Sequence, residues 1–572
     1  MLKHFPIVIL ALFISCSTPA QVPDLIPIDP VTNPVHVRNT GRITFMDRNI
    51  PLDTYREKDF LDSFSLSRRN TLNIRVFMAN SITNFMHQLA PSLPLTELSA
   101  MGNFQFAFYI DDSLVYRENI NAGCSYGSGG NKNTSTSFRV PFTSTTGEDW
   151  WAMYLWDRFR LNGGDKVLTD GLHILKVELR PYVSSPAGFT DKPVGDYVDQ
   201  GMSTAVLRVG HIIATGTVQL KVSTPLVSAA EMAIQPVRPG SGWKVSKAGF
   251  DRSKIESMNA AIERYELKDI SSVVVVSDGR LLIEEYFNGA NRNTLHDTRS
   301  AGKSFTSTLM GMAIRDGYIR SEDEELKSFY NLQQYQHYSG VKDSIRIKDL
   351  LTMSSALNGS DAHSESPGNE ENMYPTSDWV KFTLDLAIDS NKTNGRQWDY
   401  FTAGVVLMGD MLDKRIPGGL ERYAAEKLFR PLGITHYKWQ YTPRHVVNTA
   451  GSLAMTSLEY ARYAQLYKNN GMWGGKQVVP SAWIKKTFTR QLSIPGRVNE
   501  FYGYLFWNKT YVVNGKNYEA FYCAGNGGNE FIIFNDLPVV IIITSKAFNK
   551  PYGHLQAERI VKEFVLPAIL HP

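Results

Sequence analysis

Residues 298–319 read TRSAGKSFTSTLMGMAIRDGYI. The apolar run predicts a helix over Ala301–Asp316, with Ser300 and Lys303 at its start. An i, i+3 spacing puts both side chains on one helix face. A neutral lysine amine so placed can take the serine proton. A backbone N–H at a helix start is free to bind a developing oxyanion. The spacing alone says little, because composition gives on the order of two S-x-x-K copies by chance. Two further copies exist, Ser241/Lys244 and Ser339/Lys342. Ser241 lies in a Pro/Gly stretch and Ser339 in the polar run QQYQHYSGVKDS, so neither opens an apolar helix. The bland alternative for Ser300 is a simple helix cap. A G-x-S-x-G match at residues 123–127 is followed by SGGNKNTSTS. That run cannot supply the helix a nucleophile elbow needs, so it reads as a loop.

Outward from this helix, Ser272–Val276 and Leu281–Phe287 read as strands around Asp278-Gly279, a hairpin signal. Helical patterns follow, including Ser253–Tyr265 upstream and Leu458–Asn469 downstream. Strands return at Thr510–Val513, Asn517–Tyr522, Phe531–Phe534 and Val539–Thr544, before a last helix near Leu555–Ile569. An early hairpin, a helical middle and late strands predict an α+β domain with a sequence-discontinuous antiparallel sheet, flanking helices and an inserted helical region. Before residue 225 the pattern is mainly short strands, among them Asn73–Phe77, Gln105–Ile110, Ser113–Arg117 and Leu172–Arg180, which reads as a β-sandwich-like domain. The organisation expected is a leader at 1–16, a Pro-rich tether at 17–35, a β-rich domain at 36–224, a linker at 225–245 and a hydrolase domain at 246–572.

The 572 residues carry 60 Lys+Arg against 56 Asp+Glu, with 43% hydrophobic residues. That is ordinary for a globular chain and excludes a disordered, collagen-like or coiled-coil protein. The charge is near balance, without the basic concentration of a nucleic-acid binder, so none is expected as partner. Lys3 and the apolar run Phe5–Ile14 have the form of a signal peptide, too short to span a bilayer. Cys16 after Ser15 is similar to a bacterial lipobox, with Phe13 where Leu is usual. The expectation is export to the cell envelope (periplasm or outer membrane), with membrane contact only through lipid on Cys16. Three cysteines and no Cys/His zinc spacing give no metal site, and no cofactor is expected.

From about residue 250 onward the sequence resembles the serine β-lactamase and penicillin-binding-protein-like hydrolases. Its nearest likeness is the class C-like esterase, peptidase and 6-aminohexanoate-dimer hydrolase branch. The resemblance rests on VVVVSDGRLLIEEYFNG (273–289), the 298–319 stretch, IRIKDLLTMSSALNG (345–359), TAGSLAMTSLEYARYAQLYKNNGMW (449–473) and FYGYLFWN (501–508). It implies a β-lactamase/transpeptidase-like fold with Ser300 as acylated nucleophile and Lys303 as its base. QWDYFTAGVVLMGDML (397–412) puts Tyr400 at the family's proton-shuttling tyrosine, and Thr402 where Asn or Ser is usual and helps orient the lysine. FYCAGNGGNEFIIF (521–534) puts Cys523-Ala524-Gly525 where Lys-Thr-Gly or His-x-Gly is usual. Gly525 would admit a substrate backbone, and the Asn526 N–H would be the second oxyanion donor beside Ser300. The run AGNGGN and the segment SDWVKFTLDLAID (377–389) are similar to the aminohexanoate-dimer branch.

Loss of the third-motif cation implies an ester or amide hydrolase acting on a small molecule or peptide, ahead of a penicillin-recognising peptidase or β-lactamase that binds a substrate carboxylate. An inactive scaffold of the same fold is the rival from another class. Tyr374, Trp379, Trp398, Tyr502 and Trp507 are candidates for an acyl pocket or for core. The N-terminal strands carry no motif, so binding of glycan or protein there is left open.

Overall fold

A computed structural model of the chain describes residues 22–48, 50, 54–67, 69–120, 137–141, 155–185, 206–240, 242–363 and 366–570. The readings on the leader and Cys16, on the 123–127 loop and on Ser241 lie outside the described residues.

The VVVV run forms part of strand Ile270–Ser277, which pairs with Arg280–Tyr286. Asp278 and Gly279 take positive φ angles of 49° and 66°, the geometry of a tight hairpin turn. The other edge of Ile270–Ser277 pairs antiparallel with Val539–Ser545, from the far end of the sequence. The sheet then continues through Asn529–Phe534, Lys516–Gly525, Phe506–Val513, Phe501–Gly503 and Leu492–Ser493. This eight-stranded order is the discontinuous sheet expected from the early hairpin and late strands.

Both faces of the sheet are covered, which is why its central strands read as unbroken apolar runs. Val274, Val276, Phe531, Ile533, Val540 and Ile542 face the helix Lys303–Arg315 and the helical middle, including Thr402–Arg415. Val273, Val275, Ile532, Ile541 and Ile543 face the first helix Arg252–Glu263 and the last helical stretch. The helix Lys303–Arg315 is therefore sandwiched: Phe305, Leu309 and Met312 are fully buried between sheet and helices.

The N-terminal region contains a three-stranded sheet (Ile43–Met46, Asn73–Phe77, Ser137–Pro141) and a sheet led by the 15-residue strand Gly171–Ser185. Phe45, Ile74 and Val76 of the first share one apolar cluster with Phe106, Phe108, Val177 and Leu179 of the second. Helices Ile82–Leu89, Leu95–Met101 and Leu155–Phe159 also belong here, which a strands-only reading did not include. The first is capped by Ser81, whose side chain accepts from the Asn84 N–H.

The segment expected as a linker is strapped to the hydrolase sheet. Gln235 N–H donates to Glu285, Ser246 N–H to Leu281 O, and Leu281 N–H to Lys244 O. No helix among the described residues is long and apolar enough to cross a membrane.

Candidate active site

The chain enters the site through the short strand His296–Asp297 and turns sharply at Arg299, whose φ of +52° is left-handed. Ser300 then sits in a 3-10 turn, Arg299–Gly302, and the α-helix begins at Lys303. The sequence predicted one continuous helix from Ala301; the tighter first turn is the difference. Tyr460 fixes the approach: its hydroxyl lies 3.2 Å from Thr298 Oγ1, 3.0 Å from the Met455 N and 2.7 Å from Leu453 O.

Lys303 is buried, and its Nζ lies 2.9 Å from Ser300 Oγ and 2.6 Å from Ala450 O. Ala450 O thus holds the amine against the serine, a backbone contribution that no side-chain motif announces. The Tyr400 ring lies under the same amine, 5.2 Å from Nζ to the ring centroid. Burial pushes the Tyr400 phenol above its ordinary range, while Lys303 and the Ser300 hydroxyl, which bonds to it, pull the other way. The three side chains predicted to act together are therefore brought together. At the rival Ser339/Lys342 pair, the lysine amine instead bonds to Gln336 O and Leu384 O, both at 2.8 Å.

Thr402 departs from expectation. It opens the helix Thr402–Arg415, and its N–H donates to Asp361 Oδ2 at 2.6 Å. The Lys303 amine bonds to Ala450 O, and the Thr402 N–H to Asp361. Asp361 was not read from the sequence. It also accepts from Glu370 N–H at 2.9 Å and donates its own N–H to Tyr400 O at 2.8 Å, clamping the tyrosine loop from both sides. Burial, then the Glu370 charge, pushes its carboxyl up to about 6, against the pull of Thr402 and Lys303.

Gly525 also differs. A Cβ on it would lie 1.8 Å from Thr298 O and 2.9 Å from Ala301 N. The close approach it permits is to the chain's own Thr298–Ala301 turn. Asn526 follows directly and is exposed at that junction. Its side chain bonds to Asn549, and its carbonyl accepts from Asn529 Nδ2 at 2.9 Å. Cys523, at the position of the missing cation, is fully buried, and burial pushes its thiol up to about 12. That thiol is core, not a nucleophile.

Of the five flagged aromatics, Trp398, Tyr502 and Trp507 join Tyr400 in one cluster. Tyr400 stacks on Trp507 at 5.8 Å, and Trp398 lies 5.7 Å from Trp507 and 5.8 Å from Tyr502. Trp398 and Trp507 are half-buried, leaving apolar surface beside the serine, whereas Tyr502 is core. Tyr374 and Trp379 form a separate pair at 5.5 Å. Among the described residues no cluster of His, Cys, Asp and Glu could hold a metal ion.

The family described as Beta-lactamase matches residues 268–563. The curated "Putative penicillin-binding protein PbpX" of Bacillus subtilis (strain 168) is 22% identical over 197 residues, which is 34% of this chain and 48% of that protein. The match thus spans about half of that relative's length. Among solved structures, "Putative 6-aminohexanoate-dimer hydrolase from Bacillus anthracis" is 18% identical with a TM-score of 0.45, over 52% of this chain and 79% of that one. The octameric penicillin-binding protein homologue from Pyrococcus abyssi is 18% identical with a TM-score of 0.42, over 54% and 76%.

Proposed function

The chain belongs to the beta-lactamase family, and from that premise we propose that it is a serine hydrolase cleaving an ester or amide through an acyl-enzyme on Ser300. The observation that carries this reading is the 2.9 Å approach of Lys303 Nζ to Ser300 Oγ, with Tyr400 against both. An inactive scaffold would have no reason to keep a buried amine trained on a serine hydroxyl.

In the proposed reaction, the Lys303 amine takes the Ser300 proton as Oγ attacks the carbonyl carbon. The Ser300 and Asn526 N–H groups receive the oxyanion. Tyr400, its phenol kept protonated by burial, passes a proton to the leaving alcohol or amine and recovers one from Lys303. Water then attacks the acyl-enzyme by the same relay. The Trp398/Trp507 surface supports an apolar group on the substrate. Cys523 in place of a cation supports substrates without a carboxylate at that position, ahead of penicillins. The leader sequence and Cys16 support export as a lipoprotein.

A fluorophosphonate probe tests the reading. Wild-type protein is expected to label on Ser300, and Ser300→Ala to neither label nor hydrolyse 4-nitrophenyl esters above background. Equal ester turnover in Ser300→Ala would reject it.

Asp361 gives the site an acid limit. Ionised, it accepts the Thr402 and Glu370 N–H bonds and faces the Lys303 ammonium formed on proton transfer. Activity is expected to fall as pH drops through about 6, where Asp361 takes up its proton. Its effect on stability has the opposite sign. The folded state holds this proton more tightly than the unfolded chain, so the stability it contributes in acid is lost as pH rises through about 6. Asp361→Asn should remove the acid limb from the kcat/KM profile and lower its plateau by roughly 10-fold. A limb that persists unchanged would assign it to another group.

A further inference from the structure

The 525–528 turn that carries Asn526 rests on the 546–553 loop. A Cβ on Gly527 would lie 3.0 Å from the Phe548 ring, and one on Gly528 2.2 Å from Gly553 O. Within that loop, Asn549 N–H donates to Asn526 Oδ1 at 2.7 Å, and Asn526 Nδ2 donates back to Asn549 Oδ1. The loop also touches the nucleophile turn, since the Arg299 guanidinium lies 4.6 Å from the Phe548 ring centroid. One short loop therefore holds the Asn526 side chain and touches the side chain next to Ser300.

The side chain of the residue after Asn549 reaches outside the hydrolase unit. Lys550 Nζ reaches Asp157 Oδ2 of the N-terminal region at 3.1 Å. Asp157 is almost fully buried, and its second oxygen lies 3.8 Å from Lys268 Nζ. Lys268 in turn lies over the ring of Tyr552, 5.0 Å from Nζ to the centroid, and the Tyr552 hydroxyl donates to Asp269 at 2.9 Å. Both cations on Asp157 thus converge on the 546–553 loop. A buried carboxylate with two partners has little freedom to shift without leaving a charge unpaired.

We infer that the N-terminal region is a built-in brace for the oxyanion site, with Asp157 acting as a positioning residue through Lys550 and Asn549 on Asn526. This rests on the serine-hydrolase reading above and gives the otherwise motif-free N-terminal region a role. The transition state needs N–H groups aimed at the developing oxyanion, whereas ground-state binding depends on the aromatic surface. Loosening the brace should therefore cost kcat and spare KM.

The test uses the full chain, 4-nitrophenyl butyrate and an aryl boronic acid, which forms a tetrahedral adduct on a nucleophilic serine. Asp157→Asn, which keeps shape and removes charge, should lower kcat by about 10-fold or more and leave KM within about twofold. Boronate affinity should weaken by a factor similar to kcat. Lys550→Met reads the same contact from the other side and serves if Asp157→Asn does not fold. The double variant should be no worse than Asp157→Asn alone, because Asp157→Asn already breaks the Lys550 contact that Lys550→Met removes. Folded Asp157→Asn with wild-type kcat and boronate affinity, or single losses that multiply in the double variant, would overturn the brace. If Ser300→Ala is inactive while both brace variants are fully active, only this inference falls. If Ser300→Ala is as active as wild type, the serine reading falls and takes the brace with it.

Discussion

Lys303→Met is expected to lower kcat on an activated ester by about 10⁴-fold or more and to abolish fluorophosphonate labelling of Ser300. Met matches the unbranched lysine stem, so the buried slot stays filled. What disappears is the amine 2.9 Å from Ser300 Oγ, and a serine hydroxyl without a base is a poor nucleophile at neutral pH. The variant also leaves Ala450 O without its 2.6 Å partner. An unpaired buried carbonyl costs about 1–3 kcal/mol, which in a domain of this size is a melting shift of only a few degrees. The variant should thus be folded and inactive, with circular dichroism and labelling measured on the same sample. Labelling at the wild-type rate would show that Lys303 is not the base.

Gly525→Ala is expected to strike stability and activity together. Its Cβ would fall 1.8 Å from Thr298 O and 2.9 Å from Ala301 N, both backbone atoms of the nucleophile turn. No rotamer change relieves a clash with backbone. Either strand Lys516–Gly525 backs away from the turn or the turn distorts, and both separate the N–H groups of Ser300 and Asn526. The expected loss is about 2–4 kcal/mol, with ester turnover down by roughly 100-fold or more. Gly340→Ala is the control, because its Cβ would meet nothing within 4 Å. A Gly525→Ala protein with wild-type melting and turnover would contradict the close packing of the last catalytic strand on the serine turn.

The hydrolase unit was legible where local chemistry and global packing agree. Asp278-Gly279 and Asn514-Gly515 both take the positive φ angles their residue types favour, so both hairpins could be read before their partners were known. The S-x-x-K helix was legible because its second half, Leu309–Ile314, is an apolar run, and eleven of its residues are buried. Asp361 was not, since it lies in an aperiodic polar loop and acts by accepting backbone N–H groups from two distant helix starts. Ala450 O carries no residue-type signal at all. Thr402 was assigned to the lysine by position, but its backbone N–H, at the start of a helix, was the group with a partner to find. In the N-terminal region the strand cores could be read, yet Ile82–Leu89 is too short a helix to declare its period among strands.

Strand Ile270–Ser277 has one neighbour ten residues away and the other some 270 residues later, with Ile270 opposite Ser545. During synthesis the early hairpin therefore emerges with an open apolar edge and stays so until nearly the whole chain has left the ribosome. High contact order of this kind slows folding and prolongs exposure to aggregation. The hydrolase unit is thus obliged to fold late and all at once. Until then Val273–Val276 lacks the partner strand that covers its second edge.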